Sequence, residues 1–249
     1  MQELDLIVIM PVYNEEGAIK EVVQEWHTEL SALGMNFEFH VYNDGSQDGS
    51  LAILKELEQG LEHLVVHDQP NRGHGPTILY CYKNASNVQW LFQVDSDNEV
   101  RPESFHLLWD QRDKYDFLLG RRSNKHNPMP RRVVSAVAAG LVQVFFGYGV
   151  FDVNSPFRLM RVDAFREEFK LLPDKACAPN VIVTGIACLK KMRIIEIEIP
   201  YQFRQTGIVS INKWKLFRGA LLSGVQTMSF IRAYRKKNIK SLKLDRLRK

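Results

Sequence analysis

Apolar runs alternate with amphipathic stretches through the first hundred residues. "LDLIVIMPV" (4–12) is nearly continuous in apolar residues, as a strand buried on both faces would be, and "EEGAIKEVVQEWHTELSAL" (15–33) repeats its apolar positions at the helical period. "FEFHVYND" (37–44) predicts a strand, "GSLAILKELEQ" (49–59) a helix, "LEHLVVHD" (61–68) a strand, "GPTILYCYKNA" (75–85) a helix and "QWLFQVDSD" (89–97) a strand. Strands separated by helices of about ten or more residues imply an α/β fold: a mostly parallel, Rossmann-like sheet flanked by helices and built with right-handed crossovers. Ligands of such sheets bind beyond the carboxyl ends of the strands. Three polar clusters are expected at that edge: Tyr13-Asn14-Glu15, Asn43-Asp44-Gly45-Ser46 and the run from Asp95 to Glu99.

The third cluster carries the sharpest signal. Alternate side chains of an extended chain share a face, so Asp95, Asp97 and Glu99 are expected side by side. Like charges held that close repel unless a cation lies between them; the competing reading is a solvated strand end. Hard oxygen ligands suit Mg²⁺ or Mn²⁺. Neither GxGxxG after the first strand nor GxxxxGK[ST] occurs, so the common phosphate-cradling loops are missing. A bound nucleotide would have its diphosphate held through the cation instead.

Composition adds boundaries. The 249 residues suffice for one sizeable core, and the charged fraction of 25% is ordinary for a globular protein. The formal charge of +4 is unevenly placed: "RAYRKKNIKSLKLDRLRK" (232–249) holds nine Lys/Arg and one acid, Asp245. Such a tail suits an anionic membrane surface. Nucleic acid is not expected as a partner, because Tyr234 is the only aromatic interleaved with these basic residues. Cys81, Cys177 and Cys188 show neither metal spacing nor an even count for a disulfide framework. "MQELDLIVIM" has acids where a signal peptide needs positive charge, which predicts a cytoplasmic protein. "VVSAVAAGLVQVFFGYGVF" (133–151) is uncharged for nineteen residues, but its glycines, Ser135 and Gln143 favour a buried or bilayer-surface helix over a full span. "LFRGALLSGVQTMSFI" (216–231) reads either as core packing or as a second membrane-surface helix ahead of the basic tail. The expected division is a folded domain over 1–215 followed by an apolar helix and basic tail over 216–249 that would make a peripheral membrane contact.

"MPVYNEE" (10–16), "NDGSQDGS" (43–50), "PNRGHG" (70–75) and "DSDNEVRPE" (95–103), in that order, resemble family 2 glycosyltransferases of the GT-A fold, over about residues 5–215. "GRRSN" (120–124), "RRVVS" (131–135), "DVNSPFR" (152–158) and "RQTGIVS" (204–210) are similar to the polyprenyl-phosphate branch of that family, typified by dolichol-phosphate mannosyltransferases. The resemblance implies that Pro11, Tyr13, Glu15, Asp44, Asp95 and Ser96 bind the nucleotide sugar. It implies that Asp95 and Asp97, as the D-x-D pair, hold the metal together with Glu99, which stands where that branch usually has glutamine. Asp97 and Asp152 would be catalytic. Arg122, Arg131, Arg132, Ser135 and Arg204 would bind an acceptor phosphate. Asn43 and His74 depart from the family's usual aspartate and lysine, and the donor base and sugar are left open.

The residues also bear on the acceptor. A sugar hydroxyl generally needs a positioned base, which saccharide-transferring relatives supply late in the domain. Here that region reads "ACAPNVIVTGIACLKK" and has no carboxylate between Asp174 and Glu196. A phosphate monoester, with a second pKa near about 6, is already anionic. The expected activity is inverting, metal-dependent transfer from a nucleoside-diphosphate sugar to a polyprenyl phosphate at the cytoplasmic face of a membrane. The alternatives are a soluble family 2 enzyme acting on a saccharide acceptor, and an inactive module that only binds nucleotide sugar. Asp152 is read either as an acceptor-site residue or as a salt-bridge partner of Arg158 or another arginine, and oligomeric assembly is left open.

Overall fold

A computed structural model describes residues 4–85, 87–122, 140, 143, 150–174, 176, 178–201, 226, 227, 229, 230, 232 and 234. The predicted alternation is present: β1 (Leu4–Val12), α1 (Ile19–Ala32), β2 (Phe37–Asp44), α2 (Ser50–Gly60), β3 (Leu64–Gln69), α3 (His74–Asn84) and β4 (Val88–Gln93). A 3₁₀ turn at Pro102–Ser104 leads into α4 (Phe105–Trp109), followed by β5 (Phe117–Arg122), β6 (Arg158–Arg161), α5 (Val162–Leu171), α6 (Pro179–Leu189) and β7 (Ile194–Ile199). The boundary expected after residue 215, the Arg131–Arg132 pair, Ser135, Arg204, Cys177 and nearly all of the 133–151 and 216–249 segments lie outside the described residues. Among the described residues no helix is long and apolar enough to cross a membrane.

The seven strands form one sheet in the order β3-β2-β1-β4-β6-β5-β7. β1 pairs in parallel with β2 and β4, and β2 with β3. β6 runs antiparallel to both neighbours, and β7 is parallel to β5. Two reversals therefore return β5 and β7 to the direction of β1, and the carboxyl ends of β1, β2, β4, β5 and β7 share one edge.

β1 explains the apolar run at the start of the chain. Leu6, Val8, Met10 and Val12 face a layer formed with Val22, Val23, Trp26 and Leu30 of α1 and Leu54 and Leu57 of α2. Ile7 and Ile9 face the opposite layer, with Ile78 and Tyr82 of α3 and Val183 and Ile186 of α6. Trp26 is the pivot of the first layer, its ring 5.6 Å from Phe92 and 6.1 Å from Phe157. Aromatic side chains of this size dominate core energetics. On the second face, α6 is nearly wholly buried, which accounts for its apolar sequence.

The outer part of that second face carries a polar cluster. A cavity of about 190 Å³ is lined by His40, Tyr42, His67, Tyr80 and Cys81 among others. His40 Nε2–H donates to Glu38 Oε2 at 2.8 Å, and the His67 and His40 rings meet at 3.1 Å, Nε2 to Nδ1. Tyr42 stacks on His67 with ring centroids 4.3 Å apart. Burial, and next the neighbouring His40, hold His67 below its ordinary 6.5, while Glu58 and Glu38 oppose them. The unfolded chain then binds more protons than the folded one just below pH 6.5, so stability rises with pH across that window. Acidification from pH 7 to 5 is expected to lower the urea midpoint of the wild type, and His67→Gln should flatten that dependence. An unchanged slope in the variant would show that His67 does not carry it.

Candidate functional site

Strand β1 ends at Val12, and Asn14 turns the chain with a φ of 54°. The loop that follows is knitted to the loop after β2. Asn14 N donates to Ser46 Oγ (3.0 Å), Glu15 N to Ser50 Oγ (2.8 Å) and Glu16 N to Asp48 Oδ2 (3.1 Å). In return, Gln47 N donates to Asn14 Oδ1 (2.8 Å) and Gly49 N to Glu16 Oε2 (2.7 Å). Asp48 also accepts from Ser50 N and Ser50 Oγ. Burial works to raise the Asp48 carboxyl, but these donors outweigh it and hold it below the usual range. The side chains of "NDGSQDGS" thus serve largely to fix two loops as one rim.

Asp44 fixes the third loop. It is buried, and its oxygens accept from Gln69 Nε2 (3.0 Å), Arg72 N (2.8 Å) and Gly73 N (2.9 Å). Its carboxylate is thereby turned to residues 72–73, at the start of α3. Gly45 completes the arrangement: its φ is +68°, and a Cβ there would lie 2.6 Å from Asn71 N. Pro11 is buried at the end of β1, opposite Tyr42 of β2, whereas Tyr13 is 45% exposed above the same edge.

The strand alternation expected through residue 99 does not hold. β4 stops at Gln93, and Asn98 has a φ of 55°, so Asp95, Asp97 and Glu99 lie on a turn beyond the strand, not on one strand face. Asp97 Oδ1 accepts from Glu99 N at 3.1 Å, and Ser96 is buried. Among the described residues, no three His, Cys, Asp or Glu side chains gather into a ready metal site. One oxygen nevertheless fits a cation. Among the described residues, Asp95 Oδ1 is buried without a hydrogen-bond partner, as is Asn98 Oδ1 on the same turn, and a buried carboxylate oxygen left bare is costly. His74 Nε2 lies 3.8 Å from Asp95 Oδ1.

Arg122 ends β5 at the same edge and forms a bidentate pair with Asp152, Nε to Oδ2 at 2.8 Å and Nη2 to Oδ1 at 3.0 Å. Both side chains are largely enclosed, at 12% and 13% exposure. Burial works against the Arg122 charge, but Asp152, and then Asp95 and Glu99, raise its pKa. This links the Asp152 pair electrostatically to the Asp95 turn. Arg158 is not the partner of Asp152. It is fully buried and donates to main-chain carbonyls, Nε to Ser155 O (2.8 Å) and Nη1 to Asn180 O (3.1 Å). Ser155 Oγ donates to Gly120 O at 2.6 Å, which fastens "DVNSPFR" to β5.

Two positioning residues escaped the sequence reading. Glu196 of β7 accepts from Phe151 N and Asp152 N, the latter at 2.8 Å, and so holds the backbone that presents Asp152. Asn180 of α6 accepts from the buried Tyr82 hydroxyl at 3.1 Å. Nothing in the alternation "IIEIEI" or in an apolar helix distinguishes these from ordinary positions. Asp174 pairs with Lys83 near the far end of α3, away from the cleft edge.

Comparison with known proteins bears on the family and the fold. The sequence profile described as Glycosyl transferase family 2 matches residues 7–169. The undecaprenyl-phosphate 4-deoxy-4-formamido-L-arabinose transferase of Edwardsiella ictaluri (strain 93-146) is 25% identical over 202 residues, which are 80% of this chain and 61% of that relative's length. Mannosyl-3-phosphoglycerate synthase from Rubrobacter xylanophilus superposes with a TM-score of 0.70 at 13% identity, covering 93% of this chain and 75% of that one. Glucosyl-3-phosphoglycerate synthase from Mycobacterium tuberculosis, solved with Mn²⁺, uridine diphosphate and glucosyl-3-phosphoglycerate, gives a TM-score of 0.63 at 15% identity, covering 92% of this chain and 80% of that one.

The tightness of the Gly45 turn makes it a test of the rim. Gly45→Ala is expected to lose about 1–2 kcal/mol for the left-handed backbone alone, with further loss from the contact with Asn71. A urea midpoint equal to that of the wild type would show that the loop at Asn71 yields freely. With its GT-A sheet and a matching profile over residues 7–169, the chain belongs to glycosyl transferase family 2.

Proposed function

We propose that the enzyme transfers a sugar from a nucleoside diphosphate to a polyprenyl phosphate, with inversion, using a divalent cation. The observation that carries the acceptor assignment is the state of the carboxylates. The helix α6, where a base would be expected in saccharide-transferring relatives, presents Asn180 and Thr184 and no carboxylate. Asp152, a remaining acid near the edge, is committed to Arg122 through two hydrogen bonds. Both of its oxygens are occupied by the guanidinium, Oδ2 by Nε–H and Oδ1 by Nη2–H. An anionic phosphate needs no base. The name of the Edwardsiella relative, which includes undecaprenyl phosphate, supports the same reading.

In this reading the nucleotide lies across the rim made by the loops after β1 and β2, beside Pro11, Tyr13 and Glu15. Asp44 shapes the base pocket through the loop at residues 72–73, and Ser96 lies beneath the ribose and diphosphate. Asp95, Asp97 and Glu99 would hold Mg²⁺ or Mn²⁺, with diphosphate oxygens completing the ligand set. Bound there, the ion supplies charge neutralisation to the leaving diphosphate. Arg122 receives the acceptor phosphate. Asp152 occupies only the Nε and Nη2 edge of a guanidinium that has five N–H donors, and it fixes the orientation of the rest. Arg131, Arg132, Ser135 and Arg204 join it in this proposal. A phosphate oxygen attacks the anomeric carbon, the bond from that carbon to the nucleotide's terminal phosphate oxygen breaks, and nucleoside diphosphate leaves with the electron pair. The basic tail over 232–249 brings the enzyme to anionic lipid at the cytoplasmic face, where each Lys or Arg near the surface contributes about 1 kcal/mol.

Asp97→Asn removes a charged ligand and no core packing. It is expected to fold normally and to reduce transfer by more than about tenfold, equivalent to about 1.4 kcal/mol of barrier. Near-wild-type rates would remove Asp97 from the metal site. The acceptor is tested by offering purified enzyme a short polyprenyl phosphate in anionic vesicles and, separately, a free saccharide, with UDP-, GDP- and CDP-sugars. Product should form on the lipid phosphate, and Arg122→Lys, which keeps the charge but loses the fork, should raise the acceptor KM with little change for the donor. The expected cost is about 1.5–3 kcal/mol for one charge-assisted contact. Transfer to the saccharide alone would overturn the lipid reading.

A further inference from the structure

We propose that His74 is a nitrogen ligand of the cation held by Asp95, and that it biases the site toward transition-metal ions over Mg²⁺. The inference rests on the reading above that a divalent cation binds at Asp95.

The geometry is specific to one oxygen. Among the described residues, Asp95 Oδ1 and Asn98 Oδ1 of this turn are both buried without a hydrogen-bond partner, and it is the Asp95 carboxylate oxygen that faces His74 Nε2 at 3.8 Å. That separation is too long for a hydrogen bond. It suits two donors that share an ion. With metal–ligand distances of about 2.1 Å, such donors stand about 3.0 Å apart at a right angle and about 3.6 Å apart at 120°. The imidazole is 56% exposed, so it is not locked in the core and has room to adjust its χ angles.

The histidine is also anchored. It opens α3, immediately after the two main-chain N–H groups, of Arg72 and Gly73, that donate to the buried Asp44. Gly73 adopts a φ of 89°, which sets the direction in which the helix starts. The rim network thus reaches the proposed ligand through three links: Asp44, the 72–73 main chain and His74. A set of carboxylates alone is a hard oxygen site suited to Mg²⁺, Ca²⁺ or Mn²⁺, whereas an imidazole nitrogen adds affinity along the order Mn²⁺ < Fe²⁺ < Co²⁺ < Ni²⁺. His74 would therefore distinguish Mn²⁺ or Co²⁺ from Mg²⁺ without changing the number of acidic ligands.

The test uses the full chain with Mn²⁺ and either UDP or GDP, read by pulsed EPR and by calorimetry. Bound Mn²⁺ is expected to show coupling to a histidine nitrogen, and His74→Ala should abolish it. The same variant should weaken Mn²⁺ binding by about tenfold or more, since even outer partners of metal ligands have effects of that size, while Mg²⁺ binding changes little. His74→Gln, which keeps a polar side chain without the imidazole, should behave like His74→Ala. Mn²⁺ that binds without nitrogen coupling, or with coupling that survives in His74→Ala, overturns the role of His74 and leaves the metal reading intact. Failure of Mn²⁺ to bind with either nucleotide overturns both.

Discussion

The burial of β1 on both faces and its pairing on both edges set the terms for the rest of the molecule. A strand enclosed in this way must be apolar on successive residues, and its main-chain groups must be met by β2 on one side and β4 on the other. Parallel pairing then forces each connection to cross a face of the sheet as a helix. The consequence is positional. Every loop that leaves a carboxyl end of β1, β2 or β4 emerges at the same edge, so residues near 14, 46 and 96 become neighbours without any affinity for one another.

What that edge does with its charges follows from two different treatments of burial. Along the β1–β2 rim the acids are satisfied by main-chain N–H groups, as Asp44 is by Arg72 and Gly73 and Asp48 is by Glu16 and Ser50. Such acids hold shape and have little left for a ligand. At the Asp95 turn the opposite holds: a buried oxygen is left without a donor. Between these lies the Arg122–Asp152 pair, enclosed enough that breaking it would strand a charge. The site is thus a largely self-satisfied frame around a small region of unmet electrostatic demand, and that contrast is the physical ground for proposing a cation there.

Arg158 shows how the frame is supported from beneath. A fully buried guanidinium without a carboxylate hydrogen bond among the described residues is unusual, and burial lowers its pKa. Its N–H groups gather the carbonyls of Val153, Ser155 and Asn180, which ties the segment carrying Asp152 to the first turn of α6. Glu196 reaches the same segment from β7. The stretch that positions Arg122 is consequently held from two elements distant in sequence, α6 and β7.

Much of the fold was legible in the chain itself. β1, β2, β3 and the two helices between them stand where the period of their apolar residues put them, because two-sided burial and amphipathic packing write themselves into local sequence. The four motifs from "MPVYNEE" to "DSDNEVRPE" also marked the edge, since loops that carry polar ligands interrupt apolar strands at recognisable places. The antiparallel β6, the end of β4 at Gln93, the partner of Asp152 and the role of Glu196 were decided only in three dimensions. A strand's direction depends on which neighbour it meets, a turn beyond Gln93 depends on a left-handed Asn98, and the choice of Arg122 over Arg158 as an ion-pair partner depends on which arginine the sheet buries. Local periodicity reports what each segment buries; it carries no information about which distant segment supplies the partner, and that is what the tertiary structure determined.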